Sequence, residues 1–200
     1  MIMFALHQAD FDHVLNLFDR NRCLSFGRMH DFCHPVGDQP DVVADALCER
    51  LVGGLWVRFV ATLTDAPTTL VHGDAHVGNT YVLPGDGLGF LDWQVLRRGR
   101  GVVDLGYFLQ GAVTVDHRRA HETELIDSYL DALELPSAER PSRRDLWRWY
   151  RASAVHGLAL WLATFSYGAW QRPEVSLALV QRYAAAFVDL ESTDAIEATA

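Results

Sequence analysis

The segment His72–Gly73–Asp74–Ala75–His76–Val77–Gly78–Asn79 places an aspartate and an asparagine five positions apart, in a loop between two short strand-like runs. Thirteen residues past Asn79, across a tight turn, the run Gly89–Phe90–Leu91 ends in Asp92 and Trp93. Phosphoryl transfer needs such a set. One carboxylate orients an attacking hydroxyl and accepts its proton. An amide oxygen and a second carboxylate hold Mg²⁺ on nucleotide phosphates. A hairpin is the shortest way to bring Asn79 and Asp92 face to face.

Taken singly, each residue has an ordinary reading. Asp74 can cap a turn, Asn79 can be a left-handed loop residue, Asp92 can end a strand, and Asp104 can cap the helix that follows. At these offsets together they favour the chemical account. A metal-dependent hydrolase would instead use His72, Asp74 and His76, which alternate along a strand. That reading leaves Asn79 and Asp92 without work. A non-catalytic scaffold of the same fold is a further alternative, but it has no need to keep all three polar groups.

The combined pattern His-Gly-Asp-x-His-x-x-Asn, an apolar strand into Leu-Asp-Trp, then Asp104–Leu105, resembles the aminoglycoside phosphotransferase and choline-kinase-like superfamily, relatives of protein kinases. The resemblance covers about residues 42–190. It implies an α+β, mostly α-helical, kinase-like C-terminal lobe whose small β-hairpin carries the catalytic and metal motifs. It implies transfer of the γ-phosphate of ATP, with GTP as the open alternative, to a small-molecule hydroxyl. Asp74 would be the base, and Asn79 and Asp92 the Mg ligands. His72 would brace the loop, His76 would lie near the phosphates or metal, and Asp104 would hold the loop backbone from below. Arg97, Arg98 and Arg100 would either touch substrate or phosphate, or form a solvated basic loop. The acceptor pocket would come from helices over residues 104–185. There Trp147, Trp149, Tyr150, Trp161, Tyr167 and Trp170 suit a packed core, or an aromatic pocket for an apolar or quaternary-amine alcohol.

Kinases of this kind also clamp the nucleotide under an N-terminal β-lobe with a glycine-rich turn and a lysine. Residues 1–71 read as helices and loop, and all 17 basic residues are arginine, so no lysine is present. Arginine replaces the charge but not the compact ammonium geometry. The expectation is a chain with the N-terminal β-lobe absent: a truncated product of a longer gene, a remnant that no longer catalyses, or half of a split enzyme completed by a separately encoded lobe or a homodimer partner. Alone it should bind Mg-ATP weakly.

The positioning elements follow from periodicity. Residues 1–40 read as an N-terminal helix and loop, 41–190 as the catalytic lobe, and 191–200 as a flexible tail. Val43, Leu47, Leu51, Leu55 and Phe59 step by four along one helix, where Gly53 and Gly54 cost about 1 kcal/mol each and impose a bend or close packing. Strands are expected at Thr69–Val71, Thr80–Leu83 and Leu88–Leu91, with a turn over Pro84–Gly87. The alternating glycines there need no phosphate, because no helix follows. Residues 97–101 read as a loop and Val102–Thr114 as a helix. The next helix is capped by Asp116 and carries Leu125, Ile126, Tyr129, Leu130 and Leu133. A Ser142–Asp145 capping box opens a long aromatic helix. Pro173 opens the last, with Leu179, Val180, Tyr183, Ala184, Phe187 and Val188 inward.

Bulk properties exclude other classes. A net charge of −9 argues against nucleic acid as partner. Residues 152–170 carry no acidic or basic group except His156, but their glycines and hydroxyls suit a core helix rather than a membrane span. Cys23, Cys33 and Cys48, without a secretory signal, read as reduced thiols of a cytoplasmic protein. His30, Cys33 and His34 lie near Cys23, but the spacing matches no usual pair of zinc-ligand doublets.

Overall fold

The computed structural model describes residues 54–63, 65, 67–84, 87–167 and 170–198. The expected N-terminal helix and loop, the body of the second helix, Gly53 and the cysteine–histidine cluster lie outside the described residues. The chain order is α1 (Val57–Ala61), β1 (Thr69–Val71), a 3-10 turn (Val77–Asn79), β2 (Thr80–Leu83), β3 (Gly87–Phe90), β4 (Arg97–Gly99), α2 (Val102–Ala112), α3 (Val115–Ala132), α4 (Arg143–Tyr167), α5 (Pro173–Asp189) and α6 (Ser192–Glu197). The architecture is mostly helical with two small antiparallel ribbons, consistent with a kinase-like C-terminal lobe.

Gly54 opens a π-helical turn at 54–56 that leads into α1. Leu55 and Phe59, the last two positions of the four-residue stepping, are buried there. Both β-branched runs, Thr69–Val71 and Thr80–Leu83, are strands. β2 pairs with β3 as a hairpin, Thr80 opposite Phe90 and Leu83 opposite Gly87. The segment 97–101 departs from expectation. Its first three residues form β4, antiparallel to β1, with Val71 opposite Arg97 and Thr69 opposite Gly99. Arginine and glycine have little strand preference of their own. The backbone of β1 supplies the pairing that holds them extended.

Helix ends also differ from the reading. Thr114, not Asp116, caps α3: its side chain accepts from the His117 N–H at 3.3 Å, and Asp116 sits in the first turn. The residue with extended backbone becomes the cap, and that is Thr114. Ser142 and Asp145 do form the box, with the Asp145 N–H donating to Ser142 Oγ at 3.1 Å and Ser142 Oγ donating to Asp145 Oδ2 at 2.7 Å.

The core is built around α4, which packs on α2, α5 and α6. Tyr150, Ala154, Val155 and Ala159 are fully enclosed. Among the described residues no helix is long and apolar enough to cross a membrane. On α5, Leu179, Tyr183 and Ala186 face inward, but Val188 is 72 % exposed. The buried series steps by four and three residues, and position 188 falls between two of its members. Residues 192–197, expected as flexible tail, form α6 instead, and bury Ala195 and Ile196 against Leu55, Phe59 and Val155. A buried arginine ties α3 to α5: Arg118 donates to Glu122 Oε2 at 2.7 Å and to Asp189 Oδ2.

Candidate active site

The loop from His72 to Asn79 joins β1 to β2 and ends in the 3-10 turn, and it is held from below by α2. Asp104 lies in the first turn of α2. Its Oδ2 accepts from the His72 N–H at 2.6 Å and its Oδ1 from the Gly73 N–H at 3.0 Å. Gly73 has φ +85°, and an added Cβ would meet Val95 O at 2.5 Å and Arg97 Nη1 at 2.8 Å. Only glycine fits both the backbone and the space. Burial raises the Asp104 carboxyl above its usual range, opposed by the two backbone bonds and by Arg97. The Arg97 guanidinium packs against Gly73 and faces Asp104 and Asp74. Burial pulls its pKa below the ordinary arginine value against the pull of both carboxylates.

His72 is 3 % exposed, and both its ring nitrogens are occupied. Nδ1 accepts from the Asp74 N–H at 3.2 Å, so Nε2 carries the hydrogen and donates to Leu91 O at 2.8 Å. Its ring packs on Phe90 and Trp93 at 5.7 and 4.6 Å. The imidazole thus links the loop to the strand that ends in Asp92, and neither nitrogen is left to ligate a metal. The hydrolase alternative needed this histidine as a ligand. Among the described residues no group of three His, Cys, Asp or Glu side chains is placed to hold a metal.

His76 caps the 3-10 turn, with Nδ1 accepting from the Gly78 N–H at 3.0 Å. Its Nε2 lies 3.8 Å from Asp74 Oδ2. Burial lowers its pKa, while the nearby Asp74 and Asp92 carboxylates act in the opposite sense. Asn79 is 7 % exposed. Its Nδ2 donates to Asp74 O at 2.9 Å and Asp74 Oδ2 at 3.2 Å, which leaves its Oδ1 as an acceptor. The Leu91 N–H donates to Asn79 O at 2.9 Å, continuing the β2–β3 ladder one step past Thr80 and Phe90. Asp92 comes next, exposed, with φ +61°. The hairpin and loop therefore gather Asp74, His76 and Asn79, and carry Asp92 alongside.

The other candidates divide. Arg98 Nε donates to Thr68 Oγ1 at 2.6 Å, and the buried Arg100 pairs with Asp65 at 3.3 Å and lies over the Trp149 ring. Tyr150 and Trp161 are core residues, Trp147 and Trp149 pack on the core, and Trp170 is exposed. A groove of about 840 Å³ runs between Thr68, Arg98, Arg100, Tyr129, Leu133 and Trp149, and takes in none of His72, Asp74, His76, Asn79, Asp92 and Asp104. Sequence reading passed over Tyr107, which is buried and meets the His76 ring edge-on at 6.4 Å. Its signal was its place three residues after Asp104, on the same face of α2.

A profile of the ecdysteroid kinase-like family matches residues 17–138, a span that includes the loop, the hairpin and α2. The chain belongs to the ecdysteroid kinase-like family. This family is a kinase-like phosphotransferase group, which in general depends on ATP and magnesium. The likeness to aminoglycoside phosphotransferases and choline kinases stays at the level of the shared motif. No curated protein matches this ecdysteroid kinase-like chain.

Proposed function

We propose that this chain is the catalytic lobe of a small-molecule kinase, moving the γ-phosphate of a magnesium nucleotide to an acceptor hydroxyl. The observation that carries the reading is the bond from Asn79 Nδ2 to Asp74, made while the Asn79 carbonyl holds the strand that ends in Asp92. One base and two hard oxygen donors are thereby set on one short piece of chain.

Asp74 takes the proton of the acceptor hydroxyl as that oxygen attacks phosphorus, and Asn79 Nδ2 keeps the carboxylate turned toward it. Asn79 Oδ1 and the Asp92 carboxylate suit magnesium, which prefers oxygen ligands and keeps phosphates and waters rather than an all-protein cage. When bound, the ion neutralises charge that develops on the transferred phosphoryl group. His72 and Asp104 act on loop geometry alone. The family's name makes a steroid alcohol one acceptor to test, and other small alcohols belong in the same panel.

The test is transfer of labelled γ-phosphate from Mg-ATP to that panel by the full chain, alone and mixed with candidate partner lobes. Asp74→Asn should lower kcat by about 10²–10⁴-fold, with an unchanged melting curve. Undiminished transfer by Asp74→Asn would remove the aspartate from the mechanism.

A further inference from the structure

Asp92 holds φ +61°, a sparsely populated conformation that persists where surrounding contacts over-determine it. On the entering side, the Leu91 N–H donates to Asn79 O at 2.9 Å, and Leu91 O accepts from His72 Nε2 at 2.8 Å. On the leaving side, the Leu96 N–H donates to Trp93 O at 3.1 Å. Val95 O packs against Gly73, 2.5 Å from where a Cβ would stand. Across the turn, the Trp93 side chain folds back. Its Nε1 donates to Phe90 O at 3.1 Å while its ring rests on that of His72. The two successive carbonyls ahead of Asp92, those of Phe90 and Leu91, are therefore each held by a ring N–H. These contacts fix the backbone and leave the exposed Asp92 carboxylate as the moving part. Gln94 meets it, with Nε2 donating to Asp92 Oδ2 at 3.4 Å.

We propose that Trp93 and Gln94 are positioning residues for Asp92: the Trp93 indole N–H holds the turn at residue 92, and the Gln94 amide takes Oδ2 and leaves Oδ1 as the oxygen offered to a cation. The proposal rests on the reading of Asn79 and Asp92 as magnesium ligands. Both bonds are exposed to water, so they contribute little to folding and chiefly set direction. Asn79 is oriented by the same device, because its Nδ2 is engaged by Asp74 and only its Oδ1 remains to accept. Each candidate oxygen donor is thus selected by an amide N–H, its own in Asn79 and that of Gln94 in Asp92. Magnesium demands near-ideal placement of its oxygen ligands, so a carboxylate on a free rotor serves it poorly. Groups that orient a ligating carboxylate are typically worth about 10–100-fold in metal affinity.

Two readouts on the full, isotope-labelled chain test this, and neither needs turnover. In the first, without metal, the side-chain amide signals of Gln94 are recorded by NMR. One of its two protons should lie downfield in the native chain and return to the free-amide position in Asp92→Ala. Identical Gln94 signals in the two proteins would overturn the proposal. In the second, Mn²⁺ stands in for Mg²⁺ and broadens signals near its site. Broadening of the Asn79 side-chain amide is followed as Mn²⁺ is added. Gln94→Met keeps the side-chain length and removes the amide, and Trp93→Phe keeps the ring on His72 and removes the N–H. In each, the Mn²⁺ concentration for half-broadening should rise about tenfold or more, at an unchanged melting curve. The same concentration in both variants and the native chain would sink the positioning role. Absence of broadening at Asn79 in the native chain would instead sink the magnesium reading, so the two failures are distinguishable. The surface change Gln94→Met serves alone if Trp93→Phe proves unstable.

Discussion

Asp104 accepts two successive backbone N–H groups of the loop over residues 72–79, from His72 at 2.6 Å and from Gly73 at 3.0 Å. One side chain thus joins the start of α2 to the segment that carries Asp74. Asp104→Ala removes both acceptors at once. Loss of two charge-assisted bonds should cost about 2–4 kcal/mol, read as a lower urea midpoint at unchanged slope. Asp104→Asn keeps one acceptor oxygen and should lose less. An alanine variant within about 0.5 kcal/mol of the parent would mean that the loop is held by other contacts.

His156 gives a pH prediction. It lies inside the core, with Nδ1 accepting from Trp56 Nε1 at 3.2 Å, and burial, with a smaller push from Arg97, lowers its pKa from 6.5 to about 3. Between those values the unfolded chain binds a proton that the folded chain refuses. The stability this residue contributes is therefore complete above pH 6.5 and is lost as the pH falls toward 3. In that window the native chain should lose up to about 1.4 kcal/mol per pH unit relative to His156→Leu. Denaturant titrations at a series of pH values measure the difference. Parallel pH profiles for the two proteins would contradict it.

Tyr183 is wedged against two glycines. A Cβ at Gly157 would stand 2.1 Å from Tyr183 Cε1, and one at Gly111 would stand 2.4 Å from the hydroxyl. Gly157→Ala should cost about 1–3 kcal/mol by overpacking. In a Tyr183→Leu background the same change should cost less, because the ring is gone. The coupling should be on the order of 1 kcal/mol, measured as a double-mutant cycle. Additive losses would show that the ring does not set the limit at residue 157.

What the chain disclosed from sequence was local. Asp74, Asn79 and Asp92 lie on a loop and a hairpin whose β-branched runs mark both early strands, so their neighbourhood needed no long-range packing to read. β4 was hidden because Arg97–Arg98–Gly99 is extended only through its pairing with β1. Thr114 and Asp116 were equally good caps until the backbone conformation chose one. α6 hides in a short stretch whose helix is secured by burial of Ala195 and Ile196. Tyr107 and Trp161 sit on separate helices, and they meet His76 only after α2 and α4 have docked.

Asp92 has φ +61°, a conformation that glycine adopts freely and most other residues resist. Changing it to glycine would ease the backbone and delete the carboxylate in one stroke. If Asp92 holds magnesium as proposed, selection for a relaxed chain and selection for that oxygen ligand pull this position in opposite directions. A library sorted for thermal resistance alone should drift away from aspartate here, and one sorted for turnover should keep it.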